Sequence, residues 1–364
     1  MSPPSQPATP ATVVDTPQQA AALPSPPLIV RRPLEALLDR HGIGSGPLDV
    51  VVIGEGESNV TLALRRHGAR AVLRRPPRSL GLRGRRGVLH EARLLELLGP
   101  TAARAPRLLL ACPDASVIGA PFYVMEEVPG AVITSALPAE LDRPGARDAI
   151  ADELVDALVE LHALELESTG LREIGRAADF LERHLRRWAG IWERHRTREV
   201  PALDEVTRWL QANRPEPAAP ATLVHGDYRL ANVVFSAGPA TRLRAVLDWE
   251  LATIGDPLCD LAWMLTTWPD PGDEAGTLLT MAGTVAAGGF PTRAEMAARY
   301  AERSGRSVAG LGWYMTLALW RTAIGLEALL ERALDGAVED AFLRELAVGV
   351  PELADRARDA TRAA

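Results

Sequence analysis

Short runs in which apolar and polar residues alternate dominate the chain between about residue 48 and residue 128. Such a period of two predicts β-strands, and the glycines and prolines between the runs mark turns. One segment differs, because apolar residues recur at helical spacing over Val88–Leu98. The pattern predicts an α+β unit with that helix and five strands, at Leu48–Ile53, Asn59–Leu64, Ala71–Arg74, Arg107–Ala111 and Phe122–Val128.

Beyond Pro129 and Gly130 the spacing of apolar residues becomes mainly helical. The chain is therefore predicted to have an N-terminal lobe over residues 33–128 and a larger, mainly helical lobe over residues 129–364. A Rossmann-type binder is the runner-up, but the chain lacks a strand–GxGxxG–helix unit. The predicted helices are Ala146–Leu164, Ala177–His195, Asp204–Ala212, Arg293–Ser304, Gly312–Arg332 and Val338–Ala347, with small strands at Leu223–Val224, Asn232–Phe235 and Arg244–Leu247.

The first 32 residues are rich in Pro, Ala, Ser, Thr and Gln. A segment with so little large apolar surface cannot offset the entropy lost on ordering. Residues 1–32 are therefore predicted to be a disordered tail. Order is expected to begin near Pro33, since proline suits the first turn of a helix.

Composition narrows the class of protein. The 364 residues carry a net charge of −7, which does not suggest a general nucleic-acid binder, and all 40 basic residues are arginine. The two cysteines provide neither a disulfide framework nor a metal cluster. No apolar run is long enough for a membrane span, and the N-terminus lacks the pattern of a secretory signal. We expect a cytoplasmic protein, and the sequence does not indicate its oligomeric state.

The residues suited to catalysis lie around one polar loop, His225-Gly226-Asp227-Tyr228-Arg229-Leu230-Ala231-Asn232, and just after the next predicted strand. Asp227 can accept a hydroxyl proton, and Arg229 can steady a γ-phosphate. Asn232 and Asp248 offer the hard oxygen ligands that Mg²⁺ prefers. Phosphoryl transfer needs such groups, because its catalysis is mostly positioning and charge neutralisation.

This arrangement resembles a known family. His-x-Asp-x₄-Asn followed by Asp-Trp-Glu is similar to the catalytic and metal loops of kinase-like phosphotransferases. The continuation Gly255-Asp256-Pro257-x₂-Asp260-Leu261-Ala262 resembles the aminoglycoside phosphotransferase and choline kinase superfamily. The closest branch is the kinase-like domain fused to some acyl-CoA dehydrogenases, with its free-standing bacterial relatives. The resemblance covers roughly residues 35–335 and implies a two-lobed protein-kinase-like α+β fold that uses ATP and Mg²⁺.

The nucleotide would bind to the N-terminal lobe. In the glycine-rich segment between the first two strands, Gly54, Gly56, Ser58 and Asn59 are expected near the phosphates, because glycine lets backbone approach them. Arg74 stands where the resemblance places a phosphate-binding lysine. Arg75 competes for that role, since neighbouring side chains of a strand point to opposite faces.

The resemblance also assigns supporting roles. Glu91, on the following helix, would be the partner of Arg74. Glu126 and Val128 would form the hinge whose backbone binds adenine. His225 is expected to organise the polar loop, and Asp256 and Asp260 are predicted to cap a helix or brace that loop.

The acceptor is expected to be a hydroxyl group of a small molecule, and three kinds compete. They are a hydroxyacyl compound or its CoA thioester, an aminoglycoside-like antibiotic, and choline or a similar amino alcohol. Six tryptophans of the helical lobe offer either an aromatic box for a quaternary amine or ordinary core packing. The arginine-rich stretch from Arg74 to Arg86 is either a solvated loop in which arginine takes the place of lysine or a feature that attracts an anionic acceptor. The rival class is a nucleotide-binding pseudokinase without turnover.

Overall fold

The fold is described by a computed structural model that divides into two compact units. The first unit is Met1–Pro129 with Ala245–Glu250, and the second is Gly130–Arg244 with Leu251–Ala364. The described residues are 13–23, 25–55, 59–78, 82–134, 136–216, 220–236, 238, 240–268, 270–271, 288–332, 334 and 341–362; only the backbone is described for 55, 82–86 and 341–346.

A five-stranded sheet organises the first unit. Its spatial order is β3-β4-β5-β7-β6, and every neighbouring pair is antiparallel. Helix α3 packs on β5, β6 and β7. A core cluster combines apolar residues that point to one face of the sheet with Leu34, Leu37 and Leu38. The strands are β3 (Ser45–Glu55), β4 (Val60–His67), β5 (Ala69–Arg75), β6 (Leu108–Cys112) and β7 (Phe122–Glu126), and the helices are α2 (Arg31–Arg40) and α3 (Leu82–Leu98).

The N-terminal segment differs from the predicted disordered tail. Its described part contains β1 (Val13–Val14), α1 (Pro17–Ala21) and β2 (Ile29–Val30), and helix α2 begins at Arg31 rather than Pro33. Thr16 and Gln19 form a capping box that satisfies the first backbone N–H groups of α1. Ile29 is fully buried in the core of the first unit. The prediction of disorder rested on the average composition of 32 residues, and such an average does not reveal the few apolar residues that make contacts.

Helices dominate the second unit, and the central one is α9 (Leu311–Arg332). It packs against α5, α6, α7 and α10. Five of the six tryptophans considered for an aromatic box are buried, which supports core packing instead. The helices are α4 (Ala146–His162), α5 (Phe180–His195), α6 (Pro201–Ala212), α7 (Leu258–Thr266), α8 (Arg293–Ser304), α9 and α10 (Ala341–Ala360), with short 3₁₀ turns at Leu171–Ile174, Leu230–Asn232 and Trp249–Leu251.

Short strands bring the polar loop of the second unit into a fixed frame. Strand β9 (Thr222–Val224) leads into the loop and pairs antiparallel with β12 (Thr253–Gly255). Strand β10 (Val233–Phe235) leads out of the loop and pairs antiparallel with β8 (Ala131–Val132). Strand β11 (Leu243–Val246) then leads towards Asp248. In the described part of the chain, no helix combines the length and apolarity that a membrane crossing requires.

Candidate active site

The first two backbone N–H groups of the loop over residues 225–232 are held by a single carboxylate. Asp260, on α7, accepts hydrogen bonds from the backbone N–H of His225 at 2.6 Å and of Gly226 at 2.8 Å. Gly226 has φ +84°, and a Cβ there would lie 2.8 Å from the carbonyl oxygen of Leu251. Only glycine fits this position without displacing its neighbour. The prediction that Asp260 braces the loop is confirmed.

Asp260 stays ionised although it is buried. Burial alone would raise its pKa, but the contact with His162 and the hydrogen bond from His225 outweigh it and hold the pKa below its ordinary value. Nε2 of His162 lies 3.4 Å from Oδ2 of Asp260, and its Nδ1 lies 2.8 Å from the hydroxyl of Tyr300. A charged acceptor therefore anchors the loop.

Two other scaffold residues also act as predicted. Asp256 accepts a hydrogen bond from the backbone N–H of Leu258 at 3.0 Å, at the start of α7, and one from the hydroxyl of Tyr314 at 2.7 Å. Nδ1 of His225 accepts a hydrogen bond from the backbone N–H of Asp227 at 3.2 Å. Both side chains organise backbone, which is the structural role that the sequence predicted for them.

The carboxylate of Asp227 brings together the predicted catalytic residues of the second unit. Its Oδ2 accepts a hydrogen bond of 2.7 Å from Nδ2 of Asn232. Its Oδ1 lies 3.3 Å from Nε of Arg229 and accepts a hydrogen bond of 2.6 Å from Nε1 of Trp263. The side chain of Asp227 is 22% exposed. A carboxylate fixed by donors and still accessible can receive a proton from an acceptor hydroxyl.

A second cluster lies in the first unit around Arg74, and we call its members the Arg74 cluster: Arg74, Glu91, Asp248 and Glu250. Nη1 of Arg74 donates to Oε1 of Glu91 at 2.7 Å, and Nη2 donates to Oδ1 of Asp248 at 2.9 Å. Oε2 of Glu250 lies 4.0 Å from Nη2 and accepts a hydrogen bond from Nδ2 of Asn59 at 2.9 Å. The cluster brings together Asn59, Arg74, Glu91 and Asp248, all predicted from sequence.

The register of β5 settles which arginine faces these acids. Arg75 points away from them, and its guanidinium donates to the backbone carbonyls of Pro27, Leu28 and Ile118. Burial lowers the pKa of Arg75 to about 10. Arg74 and Arg75 both stay charged, but they are buried and engaged with protein groups, so they contribute little to the attraction that the arginine-rich stretch was expected to exert on an anionic acceptor. The side chains of Arg83, Arg85 and Arg86 lie outside the described residues.

The Arg74 cluster holds more negative than positive charge. Burial opposes the charge of Arg74, but Glu91 and Asp248 outweigh burial and hold its pKa above the ordinary value. Burial raises the pKa of Glu91 to about 7 despite Arg74, and the neighbouring carboxylates of Asp248 and Glu250 add to the rise. Such an excess of carboxylate oxygen is what a divalent cation would neutralise.

Asp248 adopts an uncommon backbone conformation. Its φ is +66°, and among the described residues only Asp179 shares a positive φ without being glycine. The left-handed region costs an ordinary residue on the order of 1 kcal/mol, which surrounding contacts must offset. The side chain is 38% exposed, and only one of its two oxygens contacts Arg74. The other oxygen suits Mg²⁺, so the chemistry of Asp248 fits the predicted metal.

No group of three or more His, Cys, Asp or Glu side chains among the described residues could hold a metal alone. Mg²⁺ is commonly bound by one or two carboxylates together with waters and substrate phosphate oxygens rather than by such a group. The amide nitrogen of Asn232 donates to Asp227, so any metal contact of this residue would involve its amide oxygen.

The remaining predicted nucleotide-binding residues are only partly described. Gly54 lies near the end of β3 beside a register shift, whereas Gly56 and Ser58 lie outside the described residues. Glu126 ends β7, and its carboxylate accepts a hydrogen bond from the backbone N–H of Arg107 at 3.1 Å. Val128 lies beyond that strand and is half-buried. Among the described residues, no hydrogen bond or ion pair joins the side chain of Glu126 to another predicted site residue.

Sequence reasoning missed three residues of these clusters. Glu250 stood within the quoted Asp-Trp-Glu motif, but no role was assigned to it. Trp263 was one of the six tryptophans considered for an aromatic box or core packing, and a contact with the polar loop was not expected of it. Arg321 of α9 gave no signal, since it is one arginine of an apolar helix. Its Nη2 donates to the carbonyl of Gly226 at 3.0 Å.

Known proteins resemble this chain over most of its length. Residues 49–312 match the phosphotransferase enzyme family. Acyl-CoA dehydrogenase family member 10 of Mus musculus is 30% identical over 327 residues, which cover 90% of this chain and 30% of the mouse protein. Acyl-CoA dehydrogenase family member 11 of Rattus norvegicus is 32% identical over 326 residues, which cover 86% of this chain and 41% of the rat protein. The chain thus spans less than half of these relatives.

Solved structures show the same fold. A protein of Ralstonia eutropha JMP134, named provisionally as an aminoglycoside phosphotransferase, is 30% identical, with a TM-score of 0.76 over 91% of this chain and 97% of its own. The GDP and kanamycin complex of an aminoglycoside phosphotransferase, APH(2″)-IIIa, is 18% identical, with a TM-score of 0.58 over 85% of this chain and 93% of its own. The predicted kinase-like α+β fold is confirmed.

Proposed function

Because the chain belongs to the phosphotransferase enzyme family, we propose that it is a small-molecule kinase that transfers the γ-phosphoryl group of ATP to a hydroxyl. The observation that carries the proposal is the environment of the Asp227 carboxylate. Its Oδ1 lies 3.3 Å from Nε of Arg229, and its Oδ2 lies 2.7 Å from Nδ2 of Asn232. An accessible carboxylate fixed in this way is suited to orient a hydroxyl and take its proton. We place the enzyme in the cytoplasm.

In the proposed reaction the acceptor oxygen forms a bond to the γ-phosphorus, and the bond from that phosphorus to the β,γ-bridging oxygen breaks. The hydroxyl proton passes to Asp227, and ADP carries away the bonding electrons. Arg229, 25% exposed beside Asp227, would compensate the charge of the transferred group. The product is a phosphate monoester of the acceptor.

The ligands of Mg²⁺ would be Asp248 and Asn232, both of which offer oxygen atoms. When bound, the ion neutralises phosphate charge during transfer. Arg74 would contact phosphate oxygens, since a guanidinium can bind them with two N–H groups. Glu91 would hold Arg74 in place, as its 2.7 Å ion pair with Arg74 supports.

The rest of the nucleotide would bind to backbone groups of the N-terminal lobe. The backbone of Glu126 and Val128 would bind adenine. The residues near the phosphates would be Gly54, Gly56, Ser58 and Asn59.

For the acceptor we propose a hydroxyacyl compound or its CoA thioester. The support is the similarity to acyl-CoA dehydrogenase family members 10 and 11, of which the chain covers 30% and 41%. An aminoglycoside or a choline-like amino alcohol is the alternative, which the shared fold with aminoglycoside phosphotransferases keeps open. A nucleotide-binding regulator without turnover is the alternative outside enzymes.

Release of ADP from MgATP tests the proposal. The purified protein is assayed with hydroxy acids, hydroxyacyl-CoA thioesters, kanamycin and choline, and each product is checked for a phosphate monoester. We expect turnover with a hydroxyacyl acceptor and little with the two cations. The Asp227→Ala variant should still bind MgATP but turn over about 100-fold or more slowly. Near-normal turnover by Asp227→Ala, or MgATP binding without phosphorylation of any acceptor, would overturn the proposal.

A further inference from the structure

The shortest described hydrogen bond to the side chain of Asp227 comes from an indole rather than from a charged group. Nε1 of Trp263 lies 2.6 Å from Oδ1 of Asp227. An indole N–H can only donate, so Trp263 cannot exchange protons with the acceptor. What it can do is fix the plane of the carboxylate. Asn232 holds the other oxygen at 2.7 Å, so both oxygens of Asp227 are restrained.

Trp263 belongs to the same helix that anchors the backbone of the loop. Asp260 and Trp263 are three residues apart on α7, so both side chains project from one face of that helix. Asp260 accepts the backbone N–H groups of His225 and Gly226. Trp263 donates to the side chain of the next residue, Asp227. One helical turn thus fixes both the path of the loop and the orientation of its carboxylate.

Trp263 is itself held by Arg321 of α9. The guanidinium lies 4.8 Å above the centre of the Trp263 ring, and Trp188 approaches it at 5.8 Å. The guanidinium of Arg321 also donates to the carbonyl of Gly226 at 3.0 Å. A cation over the ring face attracts π-electron density, which strengthens the indole N–H as a donor. Among the described residues no carboxylate forms an ion pair with Arg321 within 4.0 Å, so the described contacts of this cation serve Trp263, Trp188 and the loop.

We propose that Trp263, held by Arg321, is a positioning residue that keeps the Asp227 carboxylate turned towards the acceptor hydroxyl. The inference rests on the proposed role of Asp227. Without the indole N–H the carboxylate can rotate about its Cβ–Cγ bond, and fewer encounters are productive. Misplacement of a catalytic group on the scale of 1 Å can cost on the order of 100-fold in rate. Binding of MgATP does not involve this hydrogen bond.

A matched pair of variants separates positioning from general loss of structure. Trp263→Phe keeps a ring under Arg321 but lacks the N–H. Trp320→Phe is the control, because Nε1 of the buried Trp320 donates to Oγ1 of Thr207 at 2.8 Å in the same unit. We expect kcat of Trp263→Phe to fall about 10- to 100-fold with the KM for MgATP unchanged, while Trp320→Phe stays near wild type. Trp263→His, which can supply a ring N–H, should recover part of the loss.

A spectroscopic readout tests the hydrogen bond independently of turnover. In a ¹⁵N-labelled protein, the indole N–H resonance of Trp263 is assigned by its disappearance in Trp263→Phe. We expect this resonance to lie downfield, as for an N–H donating to a carboxylate, and to move upfield in Asp227→Ala. The Trp320 indole resonance should not move in that variant.

Each outcome has a separate meaning. If Asp227→Ala loses turnover and Trp263→Phe does not, the positioning role is wrong and the proposed function stands. If Asp227→Ala retains turnover, the proposed function fails first. If the chemical shift of the Trp263 indole N–H does not change in Asp227→Ala, the hydrogen bond on which the inference is built does not form.

Discussion

Arg74 is the cation against which three carboxylates of the first unit are arranged, and its loss should lower stability before any ligand binds. Glu91 is 1% exposed, so Arg74→Met would leave a buried carboxylate without its partner at 2.7 Å. Uncompensated buried charge costs about 3–5 kcal/mol. Urea unfolding of the ligand-free protein should show a loss of that order. Arg74→Lys keeps a charge and should lose less, and a Met variant as stable as wild type would contradict the described ion pairs.

The left-handed backbone of Asp248 separates its structural role from its proposed metal role. Asn tolerates φ +66° and can still accept the hydrogen bond from Arg74, whereas Ala can do neither. We expect ligand-free Asp248→Asn to unfold like wild type and Asp248→Ala to lose about 1 kcal/mol or more. Calorimetry should show weaker Mg²⁺-dependent ATP binding in both variants. Unchanged metal dependence in both would remove Asp248 from the metal site.

Helix α5 carries a stripe of rings that predicts acid sensitivity. Phe180, His184 and Trp188 follow one another at helical spacing, with ring centres 5.5 and 6.3 Å apart. Burial, and then the nearby charges of Arg321 and Arg187, hold the pKa of His184 well below its ordinary value of 6.5. His184 therefore stays neutral in the folded protein at pH values at which the unfolded chain binds a proton on it. Stability from this group is complete above pH 6.5 and is lost as the pH falls below it.

The test compares the wild type with His184→Gln over a range of pH. The slope of the unfolding free energy against pH, between about pH 6.5 and pH 4, should be smaller in the variant by up to one proton per molecule. His41, an exposed residue that directly follows α2, serves as the control position through His41→Gln. Identical slopes in wild type and His184→Gln would show that His184 does not contribute.

Elements with one buried face were predictable, and elements buried on all sides were not. Helix α8 matches the predicted Arg293–Ser304, because its apolar residues repeat at helical spacing and Thr292 and Glu295 form a capping box. Helix α7 was not predicted, since all but one of its nine residues are buried and no polar face marks a period. The C-terminal helix spans Ala341–Ala360, not Val338–Ala347, and it continues through Pro351, a residue type that usually interrupts a helix.

The site shows the same division. Asp227, Asn232 and Asp248 could be named as candidates from sequence, because their residue types and spacing match the motifs of kinase-like phosphotransferases. The choice between Arg74 and Arg75 could not be made, since it depends on a strand register of one residue. Arg321 lies 95 residues from Gly226, and nothing local to α9 indicates that contact.

At the scale of the whole chain, the first unit is not continuous in sequence, because it includes Ala245–Glu250. These six residues form several hydrogen bonds with the rest of the first unit. The backbone N–H of Val246 donates to the carbonyl of Arg104 at 2.6 Å, and that of Trp249 donates to Glu91 at 3.2 Å. Asp248 contacts Arg74, and Glu250 accepts a bond from Asn59. The N-terminal lobe predicted from sequence alone therefore leaves out Ala245–Glu250, which belong to the first unit.

A fragment of residues 1–129 should accordingly be less stable than the same unit within the full chain. We expect a lower unfolding midpoint and weaker protection of β5 and α3 amides from hydrogen exchange. A synthetic peptide of residues 243–251 should restore part of the protection, and a peptide with Asp248 and Glu250 changed to Asn and Gln should restore less. A fragment with full protection and no response to the peptide would contradict the described unit boundary.

The arginine at position 74 also changes which covalent chemistry is available at the proposed nucleotide site. Protein kinases place a lysine at the corresponding strand position, and its amine can lose a proton and attack an electrophile. A guanidinium flanked by Glu91 and Asp248 stays protonated and is not a nucleophile. Since the chain contains no lysine, acyl-phosphate or aldehyde probes that capture a lysine side chain have no target in it. Covalent inhibitors of this protein would have to react with a cysteine or another nucleophile instead.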